Sequence, residues 1–321
     1  MRYSFPMSAD ANREGLRILR KNPALFFMEL LWRWSFGLGL LALTFLAYSH
    51  LRQAILLTDA DEQALSAQDP IALATAAANL ITPVLPLLVR VCTQVFSIAA
   101  VLWVAAATLG RGLITRIIVG QFATGYGVPI AADAPRWVSF ALLNFARVMM
   151  LSILVIGYLG GTFVAGLVGG WASSLLLPAT IQFCSLAISF VLWSYVNWVL
   201  SLAPIFVARD ALAPLDATVE AIAFIRRHRS RLSAIAVWNS TLRGVAATVI
   251  SLAGIFTAAA SSSLPASAVS VLLVIETLAY FLISDFLLLA RLGDYASVAI
   301  HELTLRAELP TSLDRSGTGI V

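Results

Sequence analysis

The sequence has few of the residues on which soluble catalytic and metal sites depend. Only 12% of its 321 residues are charged, and it contains three histidines and two cysteines. Cys92 and Cys184 each lie in an apolar run without a CxxC neighbour, so no disulfide framework, zinc ribbon or redox motif can be recognised. No HExxH, P-loop, GxSxG or dinucleotide fingerprint occurs either. We therefore predict a protein without metal, cofactor or enzymatic activity.

Apolar residues make up most of what is present. Hydrophobic side chains account for 60% of the chain and the mean hydropathy is +0.89, whereas a soluble domain averages about 45–50% apolar residues. This composition is typical of membrane proteins. The net charge of +4 does not indicate a nucleic-acid partner, because the basic residues follow membrane topology and do not form one cluster.

Six apolar segments are long enough to cross a bilayer, for which about 20 residues are needed. A further stretch, 71–89, is also apolar, but Pro83 and Pro86 interrupt it. It could be a re-entrant or interfacial helix, or part of the second span. The sequence predicts an all-α polytopic membrane bundle whose spans cover about residues 24–47, 89–110, 137–165, 174–207, 232–258 and 267–290.

The basic residues support six spans with both termini in the cytoplasm. In this topology sixteen of the 21 Lys and Arg residues lie in cytoplasmic segments and only Arg52 lies in an outer loop, as the positive-inside rule requires. A seventh span would move the basic cluster 226–231 to the opposite side. All basic residues except Lys21 are arginine, a bias that indicates a GC-rich bacterial genome, so we expect a bacterial inner-membrane protein.

One charged stretch occurs twice at an offset of 206 residues. DANREGLRILRKN (10–22) matches DATVEAIAFIRRH (216–228) without a gap, and Trp32 matches Trp238 in the same register. The match favours an internal duplication. We predict a single membrane domain (1–321) with repeat-like halves at about 8–110 and 206–292 and a cytoplasmic tail at 293–321.

Each copy of the repeat has the features of an amphipathic helix on the cytoplasmic membrane surface. Asp10 and Asp216 are suitable N-caps, and basic residues collect at the far end, beside a span. Anionic lipid headgroups or a docked partner are the alternatives for this basic surface. It comprises Arg20, Lys21, Arg226, Arg227, Arg229 and Arg231.

The segment FVARDALAPLDATVEAIAFIRRHRSRL (206–232), together with its N-terminal echo, resembles the six-span inner-membrane proteins of the YciC type. It is also similar to the membrane domain attached to some glycerophosphoryl diester phosphodiesterases. The resemblance covers most of the chain in layout but is specific only over this segment. It implies an all-helical membrane domain. The soluble phosphodiesterase barrel has no counterpart in the sequence, so phosphodiesterase activity is not implied.

Charged side chains inside the spans are the candidate site. A charge at the bilayer centre costs at least about 2.5–3.5 kcal/mol, so each should face protein or water. We predict a buried polar layer, either structural ion pairs, which we favour because the charges cancel, or a cavity for an anionic headgroup or ion path. The layer comprises Glu29, Arg33, Arg147, Arg243, Glu276 and Asp285.

Small residues recur every four positions in the third span, at Gly157, Gly161, Ala165 and Gly169. Such a stripe lets another backbone approach closely. The approaching helix belongs either to the same chain or to a partner subunit.

These features predict a non-enzymatic membrane protein that is a scaffold or accessory subunit of a larger membrane assembly. Its expected partners are anionic membrane lipids and a further membrane protein, or a second copy of the chain. The alternative is a small transporter or lipid-handling protein that uses the buried arginine and acid layer.

Overall fold

A computed structural model describes residues 14–54, 70–130, 136–171 and 176–314 of the chain, and its regular elements are helical. The all-α prediction is confirmed. The α-helices within these ranges are α1 (Glu14–Lys21), α2 (Pro23–Ala54), α3 (Pro70–Tyr126), α4 (Trp137–Trp171), α5 (Leu176–Asp210), α6 (Pro214–Arg227), α7 (Arg229–Ala259) and α8 (Ala266–Asp314), with a 3₁₀ turn at Ala260–Ser262.

Six of these helices are long and apolar enough to cross a membrane. Each overlaps one predicted span, and large apolar side chains such as Ile156, which is 68% exposed, cover their outer surfaces. Exposed apolar side chains are what a lipid environment requires. The chain is therefore an integral multi-pass membrane protein. The six candidate spans are Pro23–Gln53, Thr82–Tyr126, Trp137–Trp171, Leu176–Asp210, Arg229–Ala259 and Ala266–Arg306.

The apolar stretch 71–89 is part of the same helix as the second span. Pro83 and Pro86 lie inside α3, which runs without interruption from Pro70 to Tyr126. Proline is tolerated inside membrane helices because neighbouring groups can satisfy the backbone carbonyls that it frees. The structure thus decides between the alternatives that the sequence leaves open.

The helices form two compact units. One comprises Trp32–Ala106, and the other comprises the residues up to Leu31 together with those from Ala107 onward. In the smaller unit, α2 and α3 meet through aromatic rings: the Trp103 ring centre lies 5.6 Å from that of Trp32 and 5.1 Å from that of Phe36.

In the larger unit, α4 packs on α5, α7 on α8, α6 on α5 and α1 on α8. Its core lies where the ends of α3 and α5 meet α6 and the second half of α8. Phe206 of α5 and Phe224 of α6 are fully buried and form an edge-to-face pair with 5.3 Å between ring centres. The larger unit thus contains a buried side-chain core of the kind that soluble domains have.

The sequence repeat is also a structural repeat. The buried positions of α1 are Gly15, Ile18 and Leu19, and those of α6 include Ala221, Phe224 and Ile225, which are the matching positions at the offset of 206. One residue separates each short helix from the span that follows it. In both copies the inner face packs on protein, so these helices are docked elements of the fold.

The structure changes two predictions, the N-cap of α6 and the start of the C-terminal tail. Asp216 is not an N-cap: Ala213 holds that position without a side-chain hydrogen bond, and Asp216 lies in the first turn. Pro214 starts the helix earlier because its fixed φ suits the first helical position. Asp10 lies outside the described residues. The segment 293–321 does not begin as a separate tail, because α8 continues to Asp314 and Tyr295 and Ile300 are buried.

Candidate functional site

A polar cavity lies inside the larger unit, where α2, α3, α5 and α8 meet. Its volume is about 20 Å³, which is room for about one water molecule or a small ion. The walls include apolar atoms of Pro204, Leu288, Leu289 and Leu292. The polar side chains that line it are Glu29, Arg111, Thr115, Ser201, Arg291 and Tyr295.

The hydroxyl groups in the cavity wall differ in whether their proton is already used in a hydrogen bond. Thr115 donates its proton to the Arg111 carbonyl oxygen at 2.7 Å, and Ser201 donates to the Asn197 carbonyl oxygen at 2.6 Å. Tyr295 is 1% exposed; the Trp198 indole N–H is directed at its hydroxyl oxygen, and within the described ranges its hydroxyl proton has no acceptor. A buried hydroxyl of this kind is uncommon, because leaving it unsatisfied costs free energy.

Two predicted layer residues lie at this cavity. Glu29 is 1% exposed and lines it. Arg147 is buried and donates to the Leu200 carbonyl oxygen at 2.8 Å and to the Ser201 hydroxyl at 3.5 Å. Arg147 therefore stands behind one wall of the cavity and is held by α5.

The other predicted layer residues are distributed along the fold. Arg243 of α7 is a charged neighbour of Arg291, and Asp285 is buried in α8. Glu276 accepts a hydrogen bond from Thr257 at 2.7 Å, which joins α7 to α8. Arg33 lies in the smaller unit, where its guanidinium is 5.2 Å from the centre of the Trp32 ring.

The basic end of α1 borders a groove against α8. The groove has a volume of about 720 Å³ and is lined by Leu16, Arg17, Arg20, Lys21 and Phe286. Arg17 is also paired with Glu14 at 3.3 Å. Phe286 belongs to the apolar part of α8, so the groove joins a cationic rim to an apolar wall.

A close backbone contact holds α1 on α8 beside this groove. The Gly15 amide donates to the buried Asp294 carboxylate at 2.7 Å, so a side chain from α8 caps the start of α1. A Cβ atom on Gly293 would lie 2.8 Å from the Gly15 Cα. Glycine is needed at both positions because the two helices touch through their backbones.

In the second copy of the repeat the basic end is already occupied. Arg227 pairs with Glu220 at 2.6 Å and with Glu302 of α8 at 3.2 Å, and Glu302 also pairs with Arg306. Partial burial lowers the pKa of Arg227, but its hydrogen bond to Glu220 and the charge of Glu302 outweigh this and raise the pKa. Arg226 and Arg229 are exposed, and Arg231 is half-buried.

The small-residue stripe packs α4 against α5 of the same chain. A Cβ on Gly161 would lie 2.7 Å from the Ser185 Cβ, and one on Gly169 would lie 3.4 Å from the Pro178 Cγ. Ala165 is buried, whereas Gly157 meets nothing within 4 Å. Three of the four positions thus serve contacts within the molecule.

Several polar residues of the site do not stand out in the sequence. Arg111 and Arg291 follow the predicted spans directly, where a basic residue is ordinary, and Tyr295 and Asp294 lie in the predicted tail. Arg209, also predicted to be cytoplasmic, is buried and pairs with Asp210 at 2.6 Å. These residues could be identified in the sequence because apolar residues continue at helical spacing beyond the end of the predicted span.

Comparison of the chain with family models, with curated proteins and with solved structures gives no match. The resemblance to the YciC-type proteins therefore stays a prediction. The class that the fold defines is a multi-pass helical membrane protein.

Proposed function

We propose that the protein is a non-enzymatic, lipid-handling membrane protein that binds an anionic phospholipid in the groove between α1 and α8. The observation that carries this proposal is the composition of the groove. Three cationic side chains, Arg17, Arg20 and Lys21, share it with Leu16 and with Phe286 of a spanning helix.

Each part of a phospholipid has a matching part of this groove. The phosphate would meet the guanidinium and ammonium groups, which favour anions both by charge and by hydrogen bonding. The acyl chains would follow the exposed apolar surface of α8 from Phe286 back toward the start of the helix, past Leu282 and Phe281. The groove volume of about 720 Å³ is within the range of about 300–1,000 Å³ that is usual for ligand sites.

The position of the groove also supports a lipid. Arg20 and Lys21 end α1 one residue before α2 begins as a span, so they lie at the boundary between membrane and water. Basic residues near an anionic leaflet contribute about 1 kcal/mol each. The groove adds shape and an apolar wall to this general attraction.

The test is native mass spectrometry of the wild type and of the Arg20→Gln/Lys21→Gln variant in mixed micelles of phosphatidylglycerol and phosphatidylcholine. We expect the wild type to retain phosphatidylglycerol. The variant should lose two charge contacts, which corresponds to an affinity about 30-fold weaker. Raising the salt concentration should weaken binding to the wild type.

The matched control is Arg226→Gln/Arg229→Gln, which removes two exposed arginines near the start of α7 but leaves the groove intact. It should keep the retained phospholipid. Equal losses in both variants would mean that only diffuse charge attraction operates, and no preference of the wild type for phosphatidylglycerol would refute the proposal.

A second candidate function is a subunit of a larger membrane assembly in the bacterial inner membrane. It is favoured by the way in which buried charges are used inside the fold: Arg147 is bound to the α5 backbone, and Glu276 to Thr257. Side chains engaged in this way join helices and leave little for a transport path. The same native spectra distinguish this role, because a stoichiometric second polypeptide, or a dimer, would appear in place of bound lipid.

A further inference from the structure

The polar cavity between α2, α3, α5 and α8 is a site separate from the lipid groove. The cavity is lined by Glu29, Arg111 and Arg291, whereas the groove is lined by residues of α1 and by Phe286. The two sets share no residue. The charged lining of the cavity therefore has to be explained independently of the lipid groove.

Positive charge exceeds negative charge around this cavity. Two arginines, Arg111 and Arg291, line it together with one acid, Glu29. Arg243 adds a further positive charge beside Arg291, and Arg147 reaches the wall at Ser201. A buried arginine without an acid beside it is costly, so a counter-charge is expected at Arg291.

The Arg291 guanidinium is the least compensated of these groups. Its centre lies 6.0 Å from the centre of the Tyr295 ring, and its charged neighbour on α7 is another arginine, Arg243. Throughout the described segments, no acidic side chain lies within ion-pair distance of Arg291. The ring face offers a weak attraction only.

One hydroxyl group at the cavity still has a proton to donate. Thr115 and Ser201 have given their protons to backbone carbonyls. The indole N–H of Trp198 is directed at the Tyr295 hydroxyl oxygen, and the hydroxyl proton of Tyr295 has no acceptor among the described residues. A hydroxyl donor beside the Arg291 guanidinium is the chemistry that holds an anion.

We propose that this cavity binds one small anion of about the size of chloride. It would lie between the Arg111 and Arg291 guanidinium groups and accept a hydrogen bond from the Tyr295 hydroxyl. The cavity of about 20 Å³ has room for a monatomic anion but not for a phosphate group, so a lipid headgroup does not fit. The anion would hold α3, α5 and α8 together at the buried end of the larger unit.

The experiment measures the thermal stability of the purified protein at constant ionic strength while gluconate is replaced by chloride or bromide. A ligand that binds only the folded state adds RT ln(1 + [L]/Kd) to the free energy of unfolding and so raises Tm. We expect Tm to rise by a few degrees with either halide. Bromide should appear in the cavity by anomalous diffraction at its absorption edge.

The decisive variant is Tyr295→Phe, which removes the donor and keeps the ring. A hydrogen bond to a charged group contributes enough that halide affinity should fall about tenfold. Tyr280→Phe on the same helix is the control, because Tyr280 lies against Phe281 and not at the cavity. It should respond to halide as the wild type does.

Two results would overturn the proposal. One is an equal Tm of the wild type in gluconate and in halide, which would indicate that the cavity holds water. The other is an unchanged halide response in Tyr295→Phe, which would place any halide effect elsewhere in the protein. Because the groove is not altered, failure of this site leaves the lipid proposal untouched.

Discussion

Gly15 shows how one residue without a side chain decides where a helix lies. Its amide nitrogen is 2.7 Å from the Asp294 carboxylate, and a Cβ atom at this position would collide with the Ala290 backbone. In the other copy of the repeat the matching residue is Ala221, which is fully buried. The two copies thus differ by one methyl group at this matching position.

Substitution Gly15→Ala should therefore displace α1 from α8. Overpacking of this kind costs about 1–3 kcal/mol, and it should lower Tm and increase hydrogen exchange in residues 14–21. Gly244→Ala is the control, because nothing lies within 4 Å of its added Cβ. That variant should be neutral or stabilised by up to about 1 kcal/mol, since alanine favours a helix. Equal protection of α1 in wild type and Gly15→Ala would contradict the packing described.

At the scale of elements, α4 and α5 test whether the small-residue stripe serves this molecule or a partner. Gly161 faces Ser185 of α5, whereas Gly157 faces open space. Gly161→Val should lower stability by about 1–3 kcal/mol because the two helices must separate.

Gly157→Val should leave both stability and oligomeric mass unchanged in detergent. A shift in oligomeric mass caused by Gly157→Val, with Gly161→Val behaving as wild type, would assign the stripe to an interface between subunits. Static light scattering together with a thermal unfolding scan measures both quantities.

Elements were predictable from the sequence wherever one physical signal dominated. Apolar runs located six spans, and the duplicated charged stretch located α1 and α6. The first residue of a helix is harder to predict. Pro214 and Asp216 are both residues that favour a helix start, and in α6 the proline is the first helical residue. The second half of α8 was missed because its buried face alternates with charged residues, which lowers the mean hydropathy that marks a span.

The candidate site was predictable only in part for the same reason. Glu29 and Arg147 could be identified because a charge inside an apolar run is conspicuous. Arg111, Arg291 and Tyr295 could not, since the sequence gives their distance from a span but not the protein core packed around it. The cap of Gly15 by Asp294 joins residues 279 positions apart, and no local pattern indicates such a pair.

At the scale of the whole molecule, the distribution of arginine predicts the orientation in the membrane. Cysteine labelling tests it in a variant that lacks the exposed thiols Cys92 and Cys184. A cysteine at Leu215, which is 75% exposed on α6, should react with an impermeant maleimide only after the cytoplasmic side is opened.

A cysteine at Ser263, in the exposed turn before α8, should react in intact cells from which the outer membrane has been removed. The reverse pattern would invert the orientation proposed. Labelling of both positions from one side would show that α7 does not cross the membrane.

The contact between Gly15 and Asp294 has a consequence for biogenesis. A ribosome delivers α1 long before α8, so Ile18 and Leu19 have no buried surface to occupy while the intervening helices are made. Closing so long a loop is slow and entropically costly. A chain that stops before residue 290 would leave Ile18 and Leu19 of α1 exposed, because the α8 surface that buries them would be missing. Docking of α1 therefore requires that synthesis has proceeded as far as α8.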